Sequence, residues 1–154
     1  KIALIEKNAA RLGISILNAQ TRSAAEFDAA LENAFDLVIA DVPCSGLGVI
    51  RKKPDIRYKP LDAIARLPEV QRAILENVSR YVKPGGTLLY STCTVRKEEN
   101  EAVALSFAQA NPAFTPEPFA VPDGLELPNE GYATLLPQLH AADGFFICKL
   151  RKHV

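Results

Sequence analysis

Two short apolar runs, Phe35–Ala40 and Thr87–Ser91, stand on either side of a long stretch with helical spacing. That alternation constrains the fold more than any other feature of the chain. A run that is apolar at nearly every position suits a strand covered on both faces, and strands linked through helices are expected to lie parallel in one sheet. The intervening pattern begins near Leu61. Its residues Val70, Ala73, Ile74, Asn77, Val78 and Tyr81 follow three-four spacing and predict one buried helical face, with Asn77 its only polar member. Pro68 fits the first turn of that helix or a break between two helices, and Lys83-Pro84-Gly85-Gly86 is expected to stop it.

The flanks continue the alternation. Ile2, Ile5, Ala9 and Leu12 predict a helix closed by Gly13. Residues 14–19 read as a short strand, 24–31 as a helix, and 97–110 as a further helix ending at Asn111-Pro112. The proline-rich segment 112–143 predicts loops with edge strands, and residues 144–150 a closing strand. The resulting order, α-β-α-β-α-β-α-β-β, is that of a doubly wound α/β sheet with a truncated beginning.

At 154 residues the chain fits one domain, and 48% hydrophobic with 23% charged residues describes an ordinary globular protein. No apolar stretch approaches the roughly 20 residues of a membrane helix, and no basic segment followed by an apolar one opens the chain. Three cysteines without short paired spacing argue against a disulfide framework and against a zinc site, so no metal is expected and a reducing cytoplasm is the expected home. The formal net charge of zero offers no global argument for nucleic acid. Locally, Arg51, Lys52, Lys53, Arg57 and Lys59 face only Asp55 as an opposing charge. Such a loop can hold phosphates, and it reads equally as a solvated surface loop.

Two cysteines occupy matching places. Cys44 follows the first run in Asp41-Val42-Pro43-Cys44-Ser45-Gly46, and Cys93 follows the second in Tyr90-Ser91-Thr92-Cys93-Thr94. Ligands of open α/β sheets bind beyond the strand ends, and thiolates are strong nucleophiles, so two thiols there can serve one substrate. Each alone also reads as a small buried residue in a turn. Asp41 at a strand end can meet a ligand's amino or ring nitrogen, and Pro43 stiffens the turn. Cys148, inside Phe145-Phe146-Ile147-Cys148-Lys149-Leu150, reads as core.

The segment from Asp41 to Arg57 resembles the signature loop of the Sun/Fmu (Nop/Sun) family of RNA 5-methylcytosine methyltransferases. Gly85 to Val95, followed by Glu98-Glu99-Asn100-Glu101, resembles that family's second signature. Asn8 to Gly13 and Asp143-Gly144-Phe145-Phe146 are similar to weaker family patterns, so the resemblance spans nearly the whole chain. Within the family it is nearest to the bacterial branch that modifies small-subunit ribosomal RNA.

The resemblance implies a Rossmann-like, S-adenosylmethionine-dependent methyltransferase sheet of order 3-2-1-4-5-7-6. Residues 1–154 would form a partial catalytic domain that lacks the first strands and their glycine-rich turn. It implies that Cys93 attacks carbon 6 of cytosine, that Cys44 assists release, and that Asp41 contacts the ring and the methyl-donor pocket. Pro43 would shape that pocket, and Gln20 would stand where relatives carry an aspartate near the adenine. The target would be unstacked RNA, held by the basic 51–59 loop. With the methyl-donor cradle incomplete, the chain alone is expected to bind S-adenosylmethionine weakly and to turn over little. The gap beside Phe35–Ala40 is expected to be closed by residues 14–19 or by a second copy of the chain at the open sheet edge. Two other readings remain: a non-catalytic RNA-binding or assembly module using the basic loop, and a thiol redox protein, for which the close Cys-x-x-Cys spacing is missing.

Overall fold

The computed structural model describes residues 1–154. Helix α1 spans Ile2–Arg11, and strand β1 spans Phe35–Asp41. Helices α2 (Leu61–Ala65) and α3 (Leu67–Ser79) lead into β2 (Val82–Thr92). After α4 (Glu101–Ala110) come β3 (Phe114–Pro116), β4 (Tyr132–Leu135), the short α5 (Pro137–His140) and β5 (Phe145–Lys152).

The sheet runs β1-β2-β5-β3, with β4 also paired to β5. β1 and β2 are parallel, and β5 is antiparallel to β2. This reproduces the 4-5-7-6 part of the expected methyltransferase order. β3 pairs with residues 150–152 of β5 and β4 with residues 145–148, so the two short strands share one edge. The cross-strand row Ala40–Tyr90–Cys148–Tyr132 fixes the register of four strands.

The core lies between the sheet and helices α3 and α4. Leu88 and Tyr90 of β2 and Phe146, Cys148 and Leu150 of β5 meet Leu75, Val78, Val103, Ala104 and Phe107 from the helices. Cys148 is core, as its sequence context suggested, and burial pushes its thiol up to about 12.

Several sequence expectations give way to tertiary context. Residues 14–19 form no strand, because β1 pairs only with β2 and its other edge offers them no register. Residues 24–31 form only a 3₁₀ turn at Ala29–Leu31. Asn77 Nδ2 donates to the carbonyls of Ala24 and Glu26 at 2.7 and 2.9 Å, and the Asp28 N–H donates to Tyr81 Oη at 2.9 Å. These bonds take backbone groups that a helix would need. Asn77 is therefore buried to hold a loop.

The helical pattern breaks at Arg66, with Pro68 in the first turn of α3, so both placements of that proline hold. The buried face of α3 is rotated from the expected one: Val70 and Ala73 are exposed, while Gln71 and Leu75 are fully buried beside Ile74 and Val78. The helix ends at Ser79, and Lys83 to Gly86 lie inside β2 as an irregularity opposite Asp36. Gly85 takes φ +74° there, which a side chain would strain.

β1 is not covered on both faces. Phe35, Leu37 and Ile39 are 41%, 51% and 63% exposed, because α3 and α4 pack on one side of the sheet only. α1 buries just Ala9 and does not cover the other face. No helix is long and apolar enough to cross a membrane.

Candidate active site

Parallel pairing of β1 and β2 sets Asp41 opposite Ser91, and both chains then turn off the sheet at the same end. Cys44 follows three residues after Asp41, and Cys93 one residue after Thr92, so the two loops meet. Their sulfurs stand 3.2 Å apart, within hydrogen-bonding reach. Both residues are half-buried. Burial, and then the sulfur contact with Cys93, push the Cys44 thiol up to about 11.

The two loops are locked by backbone bonds. Gly48 N–H donates to the Cys93 carbonyl at 3.1 Å, and Gly144 N–H donates to the Gly48 carbonyl at 2.8 Å. A Cβ on Gly48 would lie 2.1 Å from the Gly144 oxygen and 2.8 Å from the Cys93 oxygen, so only glycine fits. This explains in physical terms why the Asp143-Gly144 segment belongs with the site. Lys52 Nζ donates to Asp143 at 2.5 Å across the same junction.

Asp41 is exposed, and its Oδ1 accepts from Ser91 Oγ at 3.1 Å, which leaves the second carboxylate oxygen uncommitted. Pro43 shapes the turn, but its carbonyl is already bonded by Gln71 Nε2 at 2.9 Å. Gln20 is exposed and accepts from Arg22 Nε at 2.9 Å. It lines a cavity of about 720 Å³ with Arg22, Phe27, Asp28, Val78 and Tyr81, a set that includes neither Asp41 nor Pro43. This cavity lies apart from the sulfur pair.

All five cations of the basic loop are exposed, but they are not equivalent. Lys52 is paired with Asp143, and Lys59 Nζ donates to the Ser45 carbonyl at 2.7 Å, beside Cys44. Arg57 bonds the Pro54 carbonyl and stands 6.0 Å from the Tyr58 ring. Arg51 and Lys53 are left to face solvent.

Sequence reasoning missed the buried polar residues behind the pair. Gln71 and Glu99 are fully buried. Glu99 Oε2 accepts from Ser45 N–H at 2.8 Å and from Gln71 Nε2 at 3.0 Å. Asn100, also fully buried, accepts from Thr92 Oγ1 at 2.6 Å and donates to the Thr94 carbonyl at 3.0 Å. A glutamate and an asparagine standing together in the second signature were the available signal.

The family model described as 16S rRNA methyltransferase RsmB/F matches residues 1–151. The chain belongs to this family. The chain is 43% identical to the probable ribosomal RNA small subunit methyltransferase B of Bacillus subtilis, over 99% of its own length and 35% of that protein's. It therefore spans about a third of that relative. The crystal structure of PH0851 superposes with a TM-score of 0.87 at 33% identity, covering 96% of this chain and 34% of that one. NSun6 from Pyrococcus horikoshii, solved with SFG, gives a TM-score of 0.75 at 29% identity, covering 96% and 38%. SFG is an analogue of S-adenosylmethionine, the cofactor of the family.

Proposed function

We propose that this chain carries the base-attacking part of an S-adenosylmethionine-dependent methyltransferase that modifies carbon 5 of cytosine in ribosomal RNA, in the cytoplasm. The observation that carries the reading is the 3.2 Å approach of Cys44 and Cys93 at matching strand ends. Cytosine carbon 5 is too weak a nucleophile to accept a methyl group unaided. The Cys93 thiolate adds to carbon 6, forming a carbon–sulfur bond and placing the electron pair at carbon 5. S-adenosylmethionine, when bound, supplies an electrophilic methyl group. Cys44, once its own thiol proton has passed to solvent, takes the proton from carbon 5, the carbon 5–carbon 6 double bond re-forms, and the Cys93 thiolate leaves. A raised thiol is a stronger base once ionised, which suits Cys44 to that last step.

Asp41 would contact the cytosine ring and the cofactor, Gln20 the adenine, and Pro43 would shape the methyl-donor pocket through its backbone. Arg51, Lys53 and Arg57 face RNA phosphates, while Lys52 and Lys59 hold the loop in place. Because the chain spans about a third of its relative, the assay uses both the chain alone and a chimera completed by the preceding part of the Bacillus subtilis protein. The chain alone is expected to bind S-adenosylmethionine weakly in calorimetry, and the chimera tightly. In the chimera, Cys44→Ala should accumulate a covalent RNA adduct, and Cys93→Ala should form none. An adduct that survives in the Cys93→Ala protein would overturn the assignment.

A further inference from the structure

Two backbone groups flank Cys44, and both are held by buried side chains from other elements. On one side the Pro43 carbonyl accepts from Gln71 Nε2 at 2.9 Å. On the other the Ser45 N–H donates to Glu99 Oε2 at 2.8 Å. Gln71 and Glu99 are joined at 3.0 Å, so a single connected bridge spans the cysteine from α3 to the start of α4. The orientation of Gln71 is forced. Its two near neighbours are a carbonyl and a carboxylate, both acceptors, and only the amide nitrogen can face them.

The bridge also reaches the other thiol. Glu99 precedes Asn100, whose side chain holds Thr92 and Thr94 on either side of Cys93. Ser45 Oγ and Thr94 Oγ1 meet at 2.8 Å between the loops. The consecutive residues Glu99 and Asn100 thus fix both cysteine loops from one point. Arg96 Nη1 lies 3.7 Å from Glu99 Oε1, an ion-pair contact longer than a hydrogen bond. A buried carboxylate is costly to desolvate without such partners. A packed apolar pair could fill the same space without that cost, which makes the retention of polar groups informative.

We propose that Gln71 and Glu99 are positioning residues that set the separation of the Cys44 and Cys93 sulfurs. This rests on the reading that both thiols serve one base. The bridge acts on the Cys44 backbone and touches no substrate. Its consequence is a high effective concentration of one sulfur at the other, a quantity that can be read without RNA or cofactor.

The test is thiol–disulfide equilibrium in the 154-residue chain, followed in glutathione buffers by mass spectrometry. One glutathione disulfide is reduced to two glutathiones as the Cys44–Cys93 disulfide forms. The effective molarity of the pair follows from the buffer ratio at half-oxidation. Gln71→Met keeps the volume and removes the bridge. Glu99→Gln keeps an acceptor for Ser45 and should fall between the two. Alkylation of buried Cys148 reports whether the core stays closed. The expected result is a drop of about tenfold or more in effective molarity for Gln71→Met, a smaller drop for Glu99→Gln, and Cys148 protected in both. Wild-type values in both variants would overturn the proposal. So would exposure of Cys148 in both, since the bridge would then hold the fold at large. None of these results depends on methylation, so failure here and failure of the cytosine reading are separable.

Discussion

Cys44 Sγ stands 3.2 Å from Cys93 Sγ, and each belongs to a loop that leaves the end of a neighbouring parallel strand. Burial, and then the contact with Cys93, push the Cys44 thiol up to about 11, so it holds its proton at neutral pH, and either sulfur can donate in the contact.

The raised Cys44 thiol has a consequence for stability. The Cys44 thiol rises from 9.0 to about 11 on folding, and Cys148 from 9.0 to about 12. The buried Tyr90 hydroxyl, donated to the Glu99 carbonyl at 2.5 Å, is also pushed upward, chiefly by burial. A raised group favours the protonated folded state, so its contribution is complete below pH 9 and is lost as pH climbs through the folded value. Urea midpoints should be flat from pH 7 to 8.5 and fall between pH 9 and 11. For Cys148 the loss is up to about 1.4 kcal/mol per pH unit in that window. A Cys148→Ala protein, though less stable throughout, should show a shallower alkaline slope; an unchanged slope would discount the buried thiol.

Gly48 offers a sharper steric test. Its missing side chain lets three loops meet, and the atoms in the way are backbone oxygens that cannot rotate aside. Gly48→Ala should lower stability by about 1–3 kcal/mol in urea unfolding. It should also spread the sulfurs, slowing oxidation of the Cys44–Cys93 pair. A variant with wild-type stability and oxidation would mean that the loops move apart freely.

The strand ends were legible in the sequence because their signal is local: apolar runs, turn residues and a thiol at each end. Of the expected helical face of α3, Ile74, Asn77, Val78 and Tyr81 are buried, while Val70 and Ala73 give way to Gln71 and Leu75. Periodicity cannot tell that a glutamine will be buried to hold a carbonyl 28 residues away. Residues 24–31 were misread for a related reason, as their helical propensity yields to Asn77 and Tyr81, which no local window contains. Expecting β1 to be covered on both faces assumed a second helical layer that α1 does not supply.

The basic loop divides into cations that hold the protein and cations free to meet RNA. Lys52 and Lys59 are engaged with Asp143 and the Ser45 carbonyl, whereas Arg51 and Lys53 face solvent. Replacing Arg51 or Lys53 by alanine should each reduce the salt dependence of single-stranded RNA binding by about 0.7 in log–log slope, without altering stability. Lys59→Ala should instead loosen the Cys44 loop and speed Cys44 alkylation. Equal slope changes for Lys52 and Lys53 in filter binding at several salt concentrations would erase the distinction.

The open side of β1 combines two liabilities. Its outer edge has no strand partner, and Leu37 and Ile39 present apolar side chains on the face away from α3 and α4. Leu89 and Ile147 extend this face across β2 and β5, with Leu37 and Phe119 lining a shallow cavity beside them. An unpaired hydrophobic edge is a template for another strand. For the chain alone we expect a second copy to pair there, giving self-association that rises with protein concentration in sedimentation. Ile39→Lys places a charge in the seam and should return the chain to monomer while leaving Cys148 protected from alkylation. The chimera completed with the Bacillus subtilis segment should be monomeric without that substitution, because the added chain would cover the same face. A wild-type chain that stays monomeric at high micromolar concentration would show that β1 tolerates its open edge.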